Sequence, residues 1–501
     1  MNRWLHRASI VPRAVWRVIK FLRPHRTPPP DDPLDQLLFR WSPRDGFTRR
    51  DLLRSVAVLG ASGSGKTSGS GRHLSKSLVL DRRVGGLIIA SKPGDRAMWQ
   101  EIFAGAGRAG ELVVFGPGGD HRFNLLDFQA RSGADSREIT QCITVVGETL
   151  NRSDGDGGGD RDPYWAQQSR RTIHNAVEVV LGATGKVTAW DLQTFINTAA
   201  LTPASLSDPA WQSGFHGECM KKAHDRPKSV IEQHDFDLAA QFWFGEWPAM
   251  NDRTRSSILA GVMGLLHVFN TGIVHELIGG ETTITPAVFD EGKWVLVDMP
   301  VANYGAAGSF VSGAWQYATQ RHILRRDAAP GSPLTCIWID EYQNHVTSFD
   351  AKFLAECRSH HGCMVALTQS LHSFFIAVSG KQGEHAIEAL LTNFGTKVFH
   401  ALGDDKSAQY AASLIGKEIQ VMVNTSMAPV EDLWLSMVGG GKVTSSTNTS
   451  WLPVLQNNAF MKGLRTGGRA NGFLTDAIVV RNGELFADGR NWMKVAFSQN
   501  G

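Results

Sequence analysis

The run Val56-Ala57-Val58-Leu59 leads directly into Gly60-Ala61-Ser62-Gly63-Ser64-Gly65-Lys66-Thr67, and this junction constrains the fold more than any other feature of the chain. Glycines at Gly60, Gly63 and Gly65 let a backbone wrap closely and turn its N–H groups inward, where side chains would block an anion. Such a loop works only between a buried strand and the start of a helix, whose positive dipole end adds to the attraction. The pattern predicts that Gly60 through Ser68 surround nucleotide phosphates. Lys66 would reach the β- and γ-phosphates, and the Thr67 hydroxyl would complete a Mg2+ shell around ATP.

Strands spaced by helical segments of ten or more residues predict a parallel sheet with crossover helices, an α/β fold. Strands are expected at 55–59, 86–90, 112–115, 294–298, 335–340, 364–368 and 396–400. Between them, Trp165 to Leu181, Val187 to Leu201, Ser229 to Phe244 and Thr254 to Leu277 read as helices. The last of these aligns Ile258, Val262, Leu265, Leu266 and Phe269 on one side. The expected organisation is therefore a tail and proline linker over 1–38 and a first part of the nucleotide-binding domain over 39–163. An all-helical insert over 164–286 and a second nucleotide-binding part over 287–501 complete it. The Gly- and Asp-rich stretch from Asn151 to Asp162 reads as a loop, and so does the polar stretch from Gly439 to Ser450. A final strand-and-turn segment begins at Ala477.

With 42% apolar and 20% charged residues, the composition is that of a globular protein with a substantial core. No stretch approaches the ~20 apolar residues needed to cross a bilayer. The five cysteines, Cys142, Cys219, Cys336, Cys357 and Cys363, are odd in number and scattered, which suits a reducing compartment. The spacing of Cys357 and Cys363 around His360 and His361 does not match a zinc knuckle. Residues 1–30 hold seven Lys and Arg and no acid; the whole chain carries +3, so the tail's +7 leaves −4 for the rest. Within that tail, Ile10 to Leu22 alternates apolar and basic residues at helical spacing. Such a helix suits an anionic membrane, nucleic acid, or a docking surface on its own or another subunit.

Asp340-Glu341 closes a second apolar run, Thr335 to Ile339. Carboxylates at such a strand end would serve a neighbouring phosphate loop: Asp340 holding the metal ion and Glu341 polarising an attacking water. Gln369 ends the run from Met364 to Thr368 and would point into the same crevice. Arg358, between these two runs, is a candidate finger toward a neighbouring subunit's nucleotide. Arg170, Arg171, Lys221, Lys222, Arg226, Lys228, Arg321, Arg325 and Arg326 are the positions available to touch a phosphate backbone without reading sequence.

Together these segments resemble the type IV secretion coupling proteins, the TraG/TraD-type conjugative DNA-transfer ATPases of the FtsK–HerA class. The resemblance runs over roughly residues 43 to 501. It is carried by the loop core GASGSGKTSG, Ser91-Lys92-Pro93-Gly94-Asp95, Phe123-Asn124-Leu125-Leu126-Asp127 and Asp162-Pro163-Tyr164-Trp165. Ile339 to Asn344, Glu356-Cys357-Arg358, Thr368-Gln369-Ser370 and the block from Phe460 to Gly468 followed by Ala477 to Val480 complete it. The resemblance implies a RecA-like nucleotide-binding domain interrupted by an all-α domain and assembled as a homo-hexamer. It also implies ATP hydrolysis coupled to moving DNA or a relaxase–DNA substrate into a type IV secretion channel. On it, Arg358 becomes a trans arginine and Gln369 a sensor. Pro93 interrupts the usual lysine-glycine pair, so no role is carried over to Lys92.

Family members typically carry a transmembrane hairpin ahead of the phosphate loop, where this sequence has its basic tail. The expected address is the cytoplasm, peripheral to the bacterial inner membrane through residues 1–26. Two other readings stay open on the sequence: a cytosolic DNA translocase of a mobile element or defence system, and a nucleotide-switched assembly module. Glu341 disfavours the switch, which needs no water-activating carboxylate.

Overall fold

The computed structural model describes residues 32–153, 163–329, 331–377, 381–429 and 441–500. The basic helix expected at Ile10 to Leu22, residues 154–162 of the expected Gly/Asp loop, and Asp162 of the Asp-Pro-Tyr-Trp segment lie outside them.

Alternation within the short apolar runs builds the sheet. In β3 (Val56–Leu59), Val56 and Val58 pack on one face while Ala57 and Leu59 pack on the other. The same division holds in β4 (Val84–Ile89), β6 (Trp294–Val297), β7 (Leu334–Ile339), β8 (Gly362–Thr368) and β9 (Thr396–Phe399). Side chains of successive strand residues point to opposite faces, so runs apolar at every position require a cover on both sides. One cover includes the helix Asp95–Gly105, whose Trp99 lies against Trp294 and Trp338. On the other face the core continues without a break into helices of the middle of the chain.

With β5 (Leu112–Phe115), β12 (Leu474–Arg481) and β13 (Trp492–Ser498), these strands make a nine-stranded sheet ordered β13-β12-β9-β3-β8-β7-β4-β6-β5. From β9 to β5 all pairings are parallel; β12 and β13 run antiparallel at one edge. Two strands, β8 and β7, stand between β3 and its successor β4. The crevice this makes at the carboxyl ends of the parallel strands is where such sheets bind ligands.

The expected strands form within one or two residues of the positions read from the sequence. From Leu125 to Glu291 every described element is helical. The apolar stretch Thr254 to Leu277 divides into Asp252–Phe269 and Gly272–Ile278, bent by 67°. Its apolar side, Ile258, Val262, Leu266 and Phe269, is buried in the core. No single described helix is long and apolar enough to cross a membrane.

Two features depart from expectation. The stretch read as a loop from Gly439 to Ser450 instead supplies most of β11 (Gly441–Pro453), paired antiparallel along its length with β10 (Lys417–Pro429). Ser445, Ser446, Thr447, Asn448 and Thr449 are exposed on it, and only pairing with a distant segment makes it a strand. A small hairpin of Leu37–Arg40 and Gly46–Thr48 also precedes β3. Its Phe39 and Phe47 rings stack on each other, and Trp41 meets both edge-on.

Candidate functional site

The loop after β3 begins as an extension of the sheet, with Gly60 N–H donating to the Thr368 carbonyl and Ala61 N–H to the Ala401 carbonyl. It then turns through Gly65 at φ +85°, a left-handed conformation that side chains rarely adopt. Residues Thr67–Gly71 form one wide π-type turn before the regular helix Arg72–Leu80. Departures of this kind concentrate at functional sites. The turn lies tightly against β12: a Cβ on Gly69 would stand 2.3 Å from Thr475 Oγ1. At the outer end of the hairpin, Gln499 Nε2 donates to Ser68 Oγ at 2.6 Å. Beneath the loop, buried His400 shares a 2.7 Å hydrogen bond with Ser70 Oγ. Burial holds that imidazole down at about 4, hence neutral.

Four strand ends then meet in sheet order: the loop from β3, Thr368-Gln369 from β8, Asp340-Glu341 from β7, and Ser91-Lys92 after β4. Neighbouring strands lie ~4.8 Å apart, so β3 and β7 are separated by about twice that. The loop curves back over β8 to cross the gap, and Thr67 Oγ1 donates to Asp340 Oδ2 at 3.1 Å. The two residues expected to share a metal ion are thereby side by side.

Glu341 sits at the centre. Its Oε1 faces Lys66 Nζ at 3.7 Å and Lys92 Nζ at 3.1 Å. Its Oε2 accepts from Gln343 Nε2 at 2.8 Å and from Gln369 Nε2 at 3.0 Å. Burial opposes its charge. The Gln343 hydrogen bond and the two ammonium groups together outweigh burial and hold the carboxyl below its usual range. Its backbone is left-handed, φ 47° and ψ 47°, one of four non-glycine residues so placed among those described. A bulky residue in that region is strained and is kept there by its surroundings.

Lys92 is the residue the sequence reading left out. Pro93 does not displace it: Asp95 accepts from the Ser91 and Lys92 N–H groups and shapes the turn. The Lys92 ammonium then lies 3.7 Å from Asp340 Oδ2 as well as 3.1 Å from Glu341. Partial burial works against its charge, but the two carboxylates raise its pKa nonetheless. Its signal is its position, three residues past the end of β4, the strand adjacent to β7, which only the strand order reveals. Gln343, within Ile339 to Asn344, is the second such residue: its amide meets Glu341 only through the fold of the turn after β7.

Arg358 is not brought to this cluster. It is exposed in a short turn, Cys357–His360, ahead of β8, while the cluster lies beyond the far end of that strand. Seven strand residues span roughly 20 Å. Several basic candidates for phosphate contact are instead structural ties. Arg321 and Arg325 both bind Glu138, and Arg326 binds Asp290 and the His360 carbonyl. Arg171, Lys222 and Arg226 pair with Glu246, Glu218 and Glu232. All five cysteines are buried and free.

The residues present suit a magnesium nucleotide. Hard oxygen donors from Thr67 and Asp340 offer a small part of an octahedral shell, as Mg2+ prefers, with water and phosphate oxygens for the remainder. Among the described residues there is no cluster of three or more His, Cys, Asp or Glu that would favour a metal cage. Lys66 and Lys92 place positive charge beside the loop, and buried Ser64 Oγ has no protein partner.

A parallel sheet with a glycine loop at the end of a central strand and an acidic pair two strands away defines the RecA-like nucleotide-binding fold. Solved structures of the plasmid coupling protein TrwB share it. The complex with the non-hydrolysable GTP analogue GDPNP is 15% identical, covers 93% of this chain and 91% of its own, and has a TM-score of 0.58. The complex with the ATP analogue ADPNP is also 15% identical, covering 91% and 89%, with a TM-score of 0.55. That with ADP and Mg2+ is 14% identical, covering 92% and 88%, with a TM-score of 0.53. Residues 333–462 match the family described as the TraM recognition site of TraD and TraG. No curated protein matches the chain by sequence. The chain therefore carries a match to this family over residues 333–462 and shares its overall fold with the TrwB structures.

Proposed function

We propose that the chain is a Mg2+-dependent ATPase that couples hydrolysis to transfer of DNA or nucleoprotein in conjugation. The observation that carries the reading is the Glu341 carboxylate, held ionised between two ammonium groups and two amides next to the Thr67–Asp340 pair. A bound Mg2+ would neutralise charge on the phosphates. Lys66 and the loop N–H groups would orient those phosphates, with Lys92 adding a second cation from the β4 side. Glu341 would accept a hydrogen bond from the attacking water, and Gln369 would fix that water and the carboxylate together. Arg358 is too far from its own chain's cluster to act there, so its catalytic role is assigned in trans, within a homo-hexamer.

The cargo reading draws on likeness to the coupling proteins. A relaxase–DNA complex is the proposed substrate, bound largely without sequence preference, and secretion-channel components at the inner membrane are the proposed partners. The division into a nucleotide-binding domain and a helical insert over 164–286 is proposed on the same ground. The test is ATP turnover by the purified chain with and without DNA. Activity that rises with DNA and is lost in Lys66→Ala and Glu341→Gln supports the reading. Turnover unchanged in both variants would overturn the mechanism, and indifference to every form of DNA would overturn the motor.

A further inference from the structure

Asp350 is completely buried and, among the described residues, no ion pair reaches it. A carboxylate in that position must be satisfied by hydrogen bonds. It accepts five. Gln316 Nε2, Gln320 Nε2 and Thr347 Oγ1 donate to Oδ1 at 2.8, 2.6 and 3.1 Å. The Tyr342 hydroxyl and the Thr347 N–H donate to Oδ2 at 2.7 and 2.9 Å. The glutamines are four residues apart on the helix Val301–Arg325 and so share one of its faces. Each points its amide toward Asp350 although its own buried Oε1 is then left without a partner. That arrangement is costly for mere packing.

The purpose lies one residue away. Tyr342 follows Glu341 directly, and Glu341 holds the strained left-handed backbone that aims its carboxylate at Lys66, Lys92, Gln343 and Gln369. The Tyr342 ring is buried against Phe374 and Phe394, and its hydroxyl ends on Asp350. The segment in between is tied down too: Ser348 donates through its N–H and hydroxyl to Glu148 of the helix Ser136–Ser153.

We propose that Asp350 is a positioning residue for ATP hydrolysis, which locks Tyr342 to the Gln316–Gln320 face and thereby holds Glu341 in its left-handed, water-facing arrangement. This rests on Glu341 being the group that polarises water. Asp350 touches no substrate; it acts through Tyr342.

The experiment measures kcat and KM for ATP on the full chain under one fixed set of DNA and Mg2+ conditions, alongside melting temperature. Asp350→Asn, which puts an amide against two amide donors, should lower kcat by about ten- to a hundredfold, the scale of a sub-ångström to ångström misplacement. KM should remain close to wild type. Tyr342→Phe, which leaves the other four hydrogen bonds to Asp350, should lower kcat in the same direction in a folded protein. Adding Gln320→Glu to Asp350→Asn restores a carboxylate opposite an amide and should recover much of the lost kcat. Glu341→Gln is the reference. If it abolishes turnover while folded Asp350→Asn and Tyr342→Phe keep wild-type kcat, the inference is overturned and the catalytic reading stands. A kcat loss that tracks a lower melting temperature and is not rescued by Gln320→Glu also overturns it. If Glu341→Gln itself retains turnover, the catalytic reading falls.

Discussion

Lys92 Nζ lies 3.1 Å from Glu341 Oε1, the same oxygen that faces Lys66 Nζ at 3.7 Å. One carboxylate oxygen therefore meets two cations from different strands, and the site's charge balance depends on both. Lys92→Ala should leave nucleotide binding largely intact but lower kcat by about ten- to a thousandfold, the scale of losing one preorganised electrostatic partner. Turnover combined with equilibrium binding of a fluorescent ATP analogue checks this, and a parallel loss of binding would show Lys92 to be a binding residue only.

The Thr67–Asp340 pair is expected to act through the metal. Asp340→Asn and Thr67→Ala should shift the Mg2+ concentration for half-maximal turnover upward by about tenfold or more, since each removes one of two hard protein donors. A Mg2+ titration of ATPase activity reads the shift. Identical midpoints for wild type and both variants would place the metal elsewhere.

Stability should depend on pH through Glu341. Its folded pKa lies below its ordinary value of 4.5: burial raises it, but the Gln343 hydrogen bond, Lys66 and Lys92 prevail. A depressed carboxyl contributes stability that is present above the unfolded pKa and lost as pH falls through the folded one. Melting temperature from neutral pH down to about 3 should therefore fall more steeply for the wild type than for Glu341→Gln. Parallel curves would contradict the ionised assignment.

The contact between the loop and β12 should be visible as a paired effect. Gly69→Ala places a methyl 2.3 Å from Thr475 Oγ1 and should destabilise by about 1–3 kcal/mol, the usual cost of overpacking. Thr475→Ala in the same chain removes that oxygen and should recover part of the loss. A double-mutant cycle on denaturant midpoints measures the coupling, and strict additivity would deny the contact.

Arg358 makes its prediction in mixtures. Folded Arg358→Ala titrated into wild-type subunits should depress activity more than simple dilution if the guanidinium completes a neighbour's site. A linear dilution curve would remove it from the mechanism.

Much of the fold was legible because its central strands are short runs apolar at every position, a pattern that demands cover on both faces and so a parallel sheet. Gly60 to Thr67 was legible as a phosphate-type loop because its pattern is local: glycines, a lysine and a hydroxyl lie within eight residues. The ribbon of β10 and β11 was not legible in its second strand. Its polar residues carry a turn-like composition, and they form a strand only because Lys417 to Pro429 lies alongside.

By itself the sequence determined which local pieces exist: a phosphate-type loop between a strand and a helix, an acidic strand end, a glutamine at another. Local backbone preference and apolar periodicity suffice for these, since they act over a few residues. Tertiary structure alone decided which pieces meet. Strand order put β4 beside β7 and so delivered Lys92 to Glu341, while the same parallel direction placed Arg358 at the opposite end of the strands. It also carried Thr475 and Gln499 from the end of the chain onto the loop near its beginning. Those meetings follow from the packing of whole layers, whose free energy is spread over many distant residues and is encoded in no single motif.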